Sequence, residues 1–264
     1  MDSHKILYKS SAIGWRQFGK GAEAVVCFHG YGESAGAFEF LAKYAGDRFT
    51  FYAIDLPHHG DTLWMDKELS PDDLLEILDR VCPGMRYTVL GFSLGGRVAL
   101  SLYENRPSNI DRLVLLAPDG LKVNFWYWFA TKSALGRRLF RFTMKNPGWF
   151  FGLLKLSNGL RLVNASVFKF VKYYIGDAEM RELLYNRWIS LRQVSPNLGS
   201  IKKKVREFKT PVRIIYGRHD RIILSSVGRR FREGIEEYCT VTEIESGHQV
   251  LHEKHVEDIL AALA

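Results

Sequence analysis

Gly91-Phe92-Ser93-Leu94-Gly95-Gly96 is the stretch from which the fold can be read. The apolar run Tyr87-Thr88-Val89-Leu90 precedes it, and Arg97-Val98-Ala99-Leu100-Ser101-Leu102-Tyr103, helical in pattern, follows. A G-x-S-x-G sequence between a strand and a helix is the pattern of a nucleophilic serine held on a sharp turn. Small residues are needed at 91 and 95, because a side chain two positions from the serine would crowd that turn. The turn also sets Ser93 at a helix start, where backbone N–H groups and the helix dipole favour developing negative charge. Glycine-flanked serines occur in ordinary turns too, so the rest of the chain has to decide.

Short apolar runs alternate with helical patterns around this turn. Ala24–Phe28 ends at His29-Gly30, Phe49–Ile54 ends at Asp55, and Leu113–Ala117 ends at Pro118-Asp119-Gly120. Ser70-Pro71-Asp72-Asp73 is a helix start, with an N-cap serine, a proline in the first turn and acids near the dipole. Such alternation predicts a parallel sheet with helices on both faces. Two closely spaced segments, around 5–9 and 13–18, predict an antiparallel hairpin at one edge. The alternation stops near Leu121 and resumes at Pro211–Tyr216 and Thr240–Ile244. The interval is helical in pattern. Leu160, Val163, Val167, Phe170, Val171 and Tyr174 fall on one face, and Arg161, Lys169 and Lys172 on another.

A chain of 264 residues, 47% of them hydrophobic, can bury one large core with an inserted subdomain. It shows no secretory segment and no uncharged apolar run near about 18 residues. The three cysteines, Cys27, Cys82 and Cys239, form no C-x-x-C pair and argue for a reducing compartment. The expectation is a soluble cytoplasmic protein. Its net charge of +8 is uneven: residues 121–206 hold 17 Lys and Arg against 3 acids, and the remainder 20 against 26.

A nucleophilic serine needs a base within hydrogen-bond reach, and the base needs an orienting acceptor. In an open parallel sheet these groups meet at the carboxyl ends of strands. After Tyr216 comes Gly217-Arg218-His219-Asp220, and after Ile244 comes Glu245-Ser246-Gly247-His248. In the order serine, acid, histidine, these motifs resemble the α/β-hydrolase fold. The resemblance runs through residues ~20–120 and ~208–260. It implies a mostly parallel central sheet flanked by helices, with a helical cap inserted after the sixth strand. The core would be 1–120 and 207–264, and the cap 121–206. It further implies Ser93 as nucleophile, Asp220 as acid and His248 as base, with Asp119 a second candidate acid at another strand end. From His29-Gly30-Tyr31-Gly32 it implies that the backbone N–H groups of Tyr31 and Leu94 form an oxyanion hole. Asp55–Thr62 resembles the family's D-x-P-G-x-G-x-S loop, with His58 and Thr62 departing from it, and is expected to be structural. His252 and His255, three apart, are not expected to bind a metal, since no carboxylate–histidine cluster supports such a site, and no cofactor is implied.

The insert is rich in aromatic residues. Trp126 and Trp149, with His29, Gly30 and Phe92, are the candidates for substrate contact, and the substrate is expected to be a small acyl compound, apolar on its acyl side. Arg137, Arg138, Arg141 and Lys145 share a helical face, and Lys202-Lys203-Lys204-Arg206 form a second cluster. Such runs are ordinarily solvated. The functional alternatives are an anionic membrane or an acidic substrate; nucleic acid is not expected, since no recognised motif accompanies the charge. The expected activity is hydrolysis of an ester or thioester through an acyl-enzyme. The same triad also serves carbon–carbon bond hydrolases and lyases, and a non-catalytic binding protein is the reading from another class.

Overall fold

The computed structural model describes residues 3–122, 124–159 and 175–264. Eight strands form one sheet: β1 (Ser3–Tyr8), β2 (Ser11–Phe18), β3 (Glu23–Phe28), β4 (Phe49–Ile54), β5 (Tyr87–Phe92), β6 (Ile110–Leu116), β7 (Val212–Gly217) and β8 (Cys239–Ile244). Their order across the sheet is β1-β2-β4-β3-β5-β6-β7-β8. β1 pairs antiparallel with β2, and β2 with β4; the other neighbours are parallel. The expected edge hairpin is present. β5, at the centre, is buried along its whole length, as an apolar run covered on both faces must be.

The helices of this part are α1 (Glu39–Tyr44), α2 (Pro71–Val81) and α3 (Leu94–Asn105). Ser70 opens α2 with a reciprocal capping box: its hydroxyl accepts from Asp73 N–H at 3.1 Å, and the Asp73 carboxylate accepts from Ser70 N–H at 2.8 Å. α3 is buried over most of its length, including Val98, Ala99 and Leu102.

The chain divides into two compact units, Met1–Lys122 with Gln193–Ala264, and Val123–Arg192. The second unit contains α4 (Phe125–Lys132), α5 (Ala134–Lys145), α6 (Gly148–Gly159) and α7 (Ala178–Ser190). The helical pattern expected from Leu160 to Tyr174 lies outside the described residues. The second boundary differs from the sequence expectation of 207, since residues 193–206 group with the sheet. There α8 (Leu198–Phe208) is amphipathic, with Ile201 and Val205 fully buried. Just before it, Asn197 N–H donates to Glu104 of α3 at 2.8 Å. The core is completed by α9 (Ser225–Arg232) and α10 (Val256–Leu263).

Candidate active site

Ser93 stands between β5 and α3 with φ 48° and ψ −113°, a strained conformation for a residue with a side chain. Three backbone hydrogen bonds hold it. Ser93 N–H donates to Leu116 O at 2.9 Å, and Ser93 O accepts from Gly96 N–H at 2.9 Å and Asp119 N–H at 2.8 Å. The flanking glycines answer to close backbone approach: a Cβ on Gly95 would lie 1.9 Å from Phe28 O, and one on Gly91 2.6 Å from Gly95 O.

Ser93, Asp220 and His248 follow the carboxyl ends of β5, β7 and β8 and meet there. The Ser93 hydroxyl donates to His248 Nε2 at 2.9 Å, and His248 Nδ1–H donates to Asp220 Oδ2 at 2.8 Å. The Asp220 side chain is fully buried, while that of His248 keeps 20% exposure. Asp220 Oδ1 accepts from Ile222 N–H at 2.7 Å and Ile223 N–H at 3.0 Å, so the carboxylate is fixed from both sides. The acid turn and the histidine turn are pressed together, and a Cβ on Gly217 would sit 1.9 Å from Gly247 O. Asp119 is placed elsewhere. Its carboxylate accepts from Gly120 N–H at 2.7 Å and lies 3.4 Å from Arg97 Nε.

Leu94 is the first residue of α3, and an N–H in that position has no partner within its helix. Tyr31 lies on the loop after β3, its ring edge-on to His59 at 5.8 Å. Phe92 is buried, its ring 5.6 Å from that of His248. Gly30 packs on Phe92, with room for a Cβ only at 2.9 Å from its ring. His29 departs from the expectation of substrate contact. It is fully buried; its Nε2 accepts from Leu56 N–H at 3.1 Å, which leaves Nδ1–H to donate to Gly30 O at 2.8 Å. Its ring ties the loops after β3 and β4. Trp126 and Trp149 belong to the second unit and are 72% and 41% exposed there.

The Asp55–Thr62 loop is built around the Asp55 carboxylate, which accepts from Ala35 N–H at 2.6 Å and Asp61 N–H at 2.8 Å. His58, standing where the family pattern has glycine, adopts φ 61°, the left-handed conformation that explains the usual residue. Thr62, in place of serine, keeps the hydroxyl's work: it donates to Asp55 O at 2.7 Å and accepts from Gly14 N–H at 2.9 Å. Burial pushes the Cys27 thiol up, and those of Cys82 and Cys239 to about 12, which keeps all three from acting as thiolates. Among the described residues no group of three or more His, Cys, Asp or Glu could hold a metal ion.

Two residues escaped sequence reasoning. The Glu33 carboxylate accepts from Gly30 N–H at 3.0 Å and from the Gln249 side-chain amide at 2.9 Å. It thereby joins the loop that carries Tyr31 to the residue next to His248. The i, i+3 spacing from Gly30 to Glu33 was the available local signal; the partner 216 residues away was not.

A family model described as serine aminopeptidase, S33 (Hydrolase_4) matches residues 19–258. The pimeloyl-[acyl-carrier protein] methyl ester esterase of Nitrosomonas europaea is 34% identical over 114 residues, 42% of this chain and 44% of that protein. The chain thus spans less than half the length of this relative. The same esterase from Nitrosospira multiformis is 26% identical over 229 residues, covering 76% of this chain and 78% of its own. Among solved structures, the thioesterase domain from the curacin biosynthetic pathway superposes with a TM-score of 0.66 at 15% identity, covering 100% of this chain and 99% of that one. A probable hydrolytic enzyme from Pseudomonas aeruginosa PAO1 gives 0.68 at 16% identity, covering 100% and 94%. These two likenesses concern the fold alone.

Proposed function

The chain belongs to the serine aminopeptidase S33 (Hydrolase_4) family of α/β hydrolases and is a hydrolase; on that premise we propose that it cleaves a carboxylic ester or thioester through an acyl-enzyme on Ser93. The observation that carries this reading is the unbroken hydrogen-bonded series Ser93–His248–Asp220 at the carboxyl edge of the sheet. Ser93 Oγ attacks the carbonyl carbon while its proton passes to His248 Nε2. Asp220 holds the proton on Nδ1 and stabilises the imidazolium. The N–H groups of Leu94 and Tyr31 receive the oxyanion, each such donor being worth roughly 2.7–4 kcal/mol in comparable sites. His248 returns its proton to the leaving alcohol or thiol. Water, deprotonated by His248, then attacks the acyl-enzyme and frees the acid and Ser93.

The Nitrosomonas europaea relative is a methyl ester esterase, which favours an ester or thioester over a carbon–carbon bond. The compact unit Val123–Arg192, lying in the chain after β6, supports the expected cap, and its aromatic content supports a substrate apolar on its acyl side. The buried free thiols support a reducing, cytoplasmic setting. No helix among the described residues is long and apolar enough to cross a membrane.

The test is a panel of p-nitrophenyl esters, acyl-thioesters and amino-acid p-nitroanilides, with Ser93→Ala alongside and a fluorophosphonate label. Ester or thioester turnover should fall on the order of 10⁶-fold in S93A, and the label should attach to Ser93. A folded protein that never takes the label, or that turns over only the anilides, overturns the proposal.

A further inference from the structure

Residues 121–176 contain ten Lys and Arg and no Asp or Glu. Within them, α5 turns Gly136 and Thr143 inward and leaves Leu135, Leu139 and Phe142 70%, 41% and 54% exposed, at the i, i+4, i+7 spacing of one helical stripe. The stripe continues onto α6, where the Trp149 ring lies 6.5 Å from that of Phe142. On α4, Phe125, Trp126 and Trp128 are exposed as well. Soluble proteins rarely leave so many large apolar side chains in water, and those of α5 and α6 are contiguous.

The same helix carries a strong positive field. Arg137, Arg138, Arg141 and Lys145 line a groove of about 470 Å³ together with Phe142. Arg141 Nε donates to the Tyr185 hydroxyl at 3.0 Å and Arg137 to Lys132 O at 2.6 Å, neutral partners that do not offset either charge. Cations interleaved with exposed Trp, Phe and Leu are the mark of helices that lie in a membrane interface. We propose that the exposed stripe of α5 and the start of α6 docks on an anionic phospholipid bilayer, with the Phe142 and Trp149 rings at the headgroup level and the four cations on lipid phosphates. An acidic protein would satisfy the cations and leave the apolar stripe uncovered. A bilayer takes both, and the charge suits the anionic cytoplasmic leaflet. The proposal is independent of the chemistry at Ser93.

The experiment is flotation of the full chain with vesicles of phosphatidylcholine alone and of phosphatidylcholine mixed with phosphatidylglycerol. Binding should require phosphatidylglycerol and weaken as salt rises from about 0.01 M to about 0.15 M, where screening shortens from roughly 30 Å to roughly 8 Å. Each cation removed should cost about fivefold in affinity, so R137Q/R138Q/R141Q/K145Q should lose on the order of several hundredfold. L139S/F142S should weaken binding at every salt concentration. Circular dichroism melts show that the variants remain folded. Absence of binding at low salt, equal binding to both vesicles, binding unchanged in either variant, or retention by an acidic protein in place of vesicles each overturns the proposal.

Discussion

Replacing Asp220 by asparagine changes one atom in size-matched fashion, and its effect follows from how that carboxylate is held. Oδ1 accepts from Ile222 N–H at 2.7 Å and Ile223 N–H at 3.0 Å, while Oδ2 faces His248 Nδ1 at 2.8 Å. The asparagine oxygen must stay with the two N–H groups, because turning the amide nitrogen to them would leave two buried donors without acceptors, at about 1–3 kcal/mol each. The amide nitrogen therefore faces His248 and donates to Nδ1. The imidazole then carries its proton on Nε2, the atom 2.9 Å from Ser93 Oγ, and cannot accept from the hydroxyl. The same inversion in a comparable triad costs about 10⁴ in kcat, or roughly 5 kcal/mol of barrier. The assay is kcat and KM on p-nitrophenyl acetate for D220N and D119N, with thermal melts as a check on folding. KM should stay within a few fold, and D119N should keep kcat within about tenfold of the wild type, since its carboxylate sits by Arg97. D220N activity above about a hundredth of wild type, or an equal loss in D119N, would refute the tautomer argument.

Glu33→Ala should lower kcat on the order of tenfold or more, through the loop it joins to the His248 turn. Gln249→Ala should do part of this, and E33A/Q249A should be no worse than E33A; multiplicative losses in kcat would show that the two act separately. Asp73 offers a stability test. Burial alone would raise its carboxyl, but hydrogen bonds from Lys9, Tyr8 and Ser70 outweigh that and hold it at about 2, below the ordinary 3.8. A depressed carboxylate stabilises the fold at pH above its unfolded value, and the gain is lost as pH falls from about 4 through about 2. Denaturant titrations should thus find Asp73→Asn roughly 2 kcal/mol less stable at neutral pH, with the gap closing toward pH 2; a gap that does not change with pH contradicts the account. Gly95→Ala should cost about 3 kcal/mol or more, or yield no soluble protein, because its Cβ would meet Phe28 O at 1.9 Å; a melting temperature within a degree or two of wild type would argue against a turn this close-packed.

The central strands were legible because parallel strands covered on both faces read as unbroken apolar runs, and the turn at Ser93 because its steric demands leave only glycine at 91 and 95. Strand ends then predicted where Asp220 and His248 would come together. Charge composition misplaced the second boundary: Lys202, Lys203, Lys204 and Arg206 look like the basic insert, while the helical period of Ile201 and Val205 buries α8 on the core. A histidine at a strand end suits a site as well as it suits a buried loop tie, and the sequence at His29 does not distinguish the two, whereas the structure shows the tie. The Glu33–Gln249 bond joins residues 216 apart, and no local pattern encodes such a contact.

The separation of Ser93 and His248, 155 residues along the chain, also has a meaning in time. At about 5–20 residues per second, synthesis places the serine roughly 8–30 s ahead of its proposed base. Through that interval the proposed nucleophile has been made and its proposed base has not. β8, at the far edge of the sheet, brings the histidine only when the last strand pairs. On the proposed mechanism, a nascent or truncated chain that lacks His248 would have no base for Ser93, and hydrolysis would begin only once β8 and the turn after it are in place.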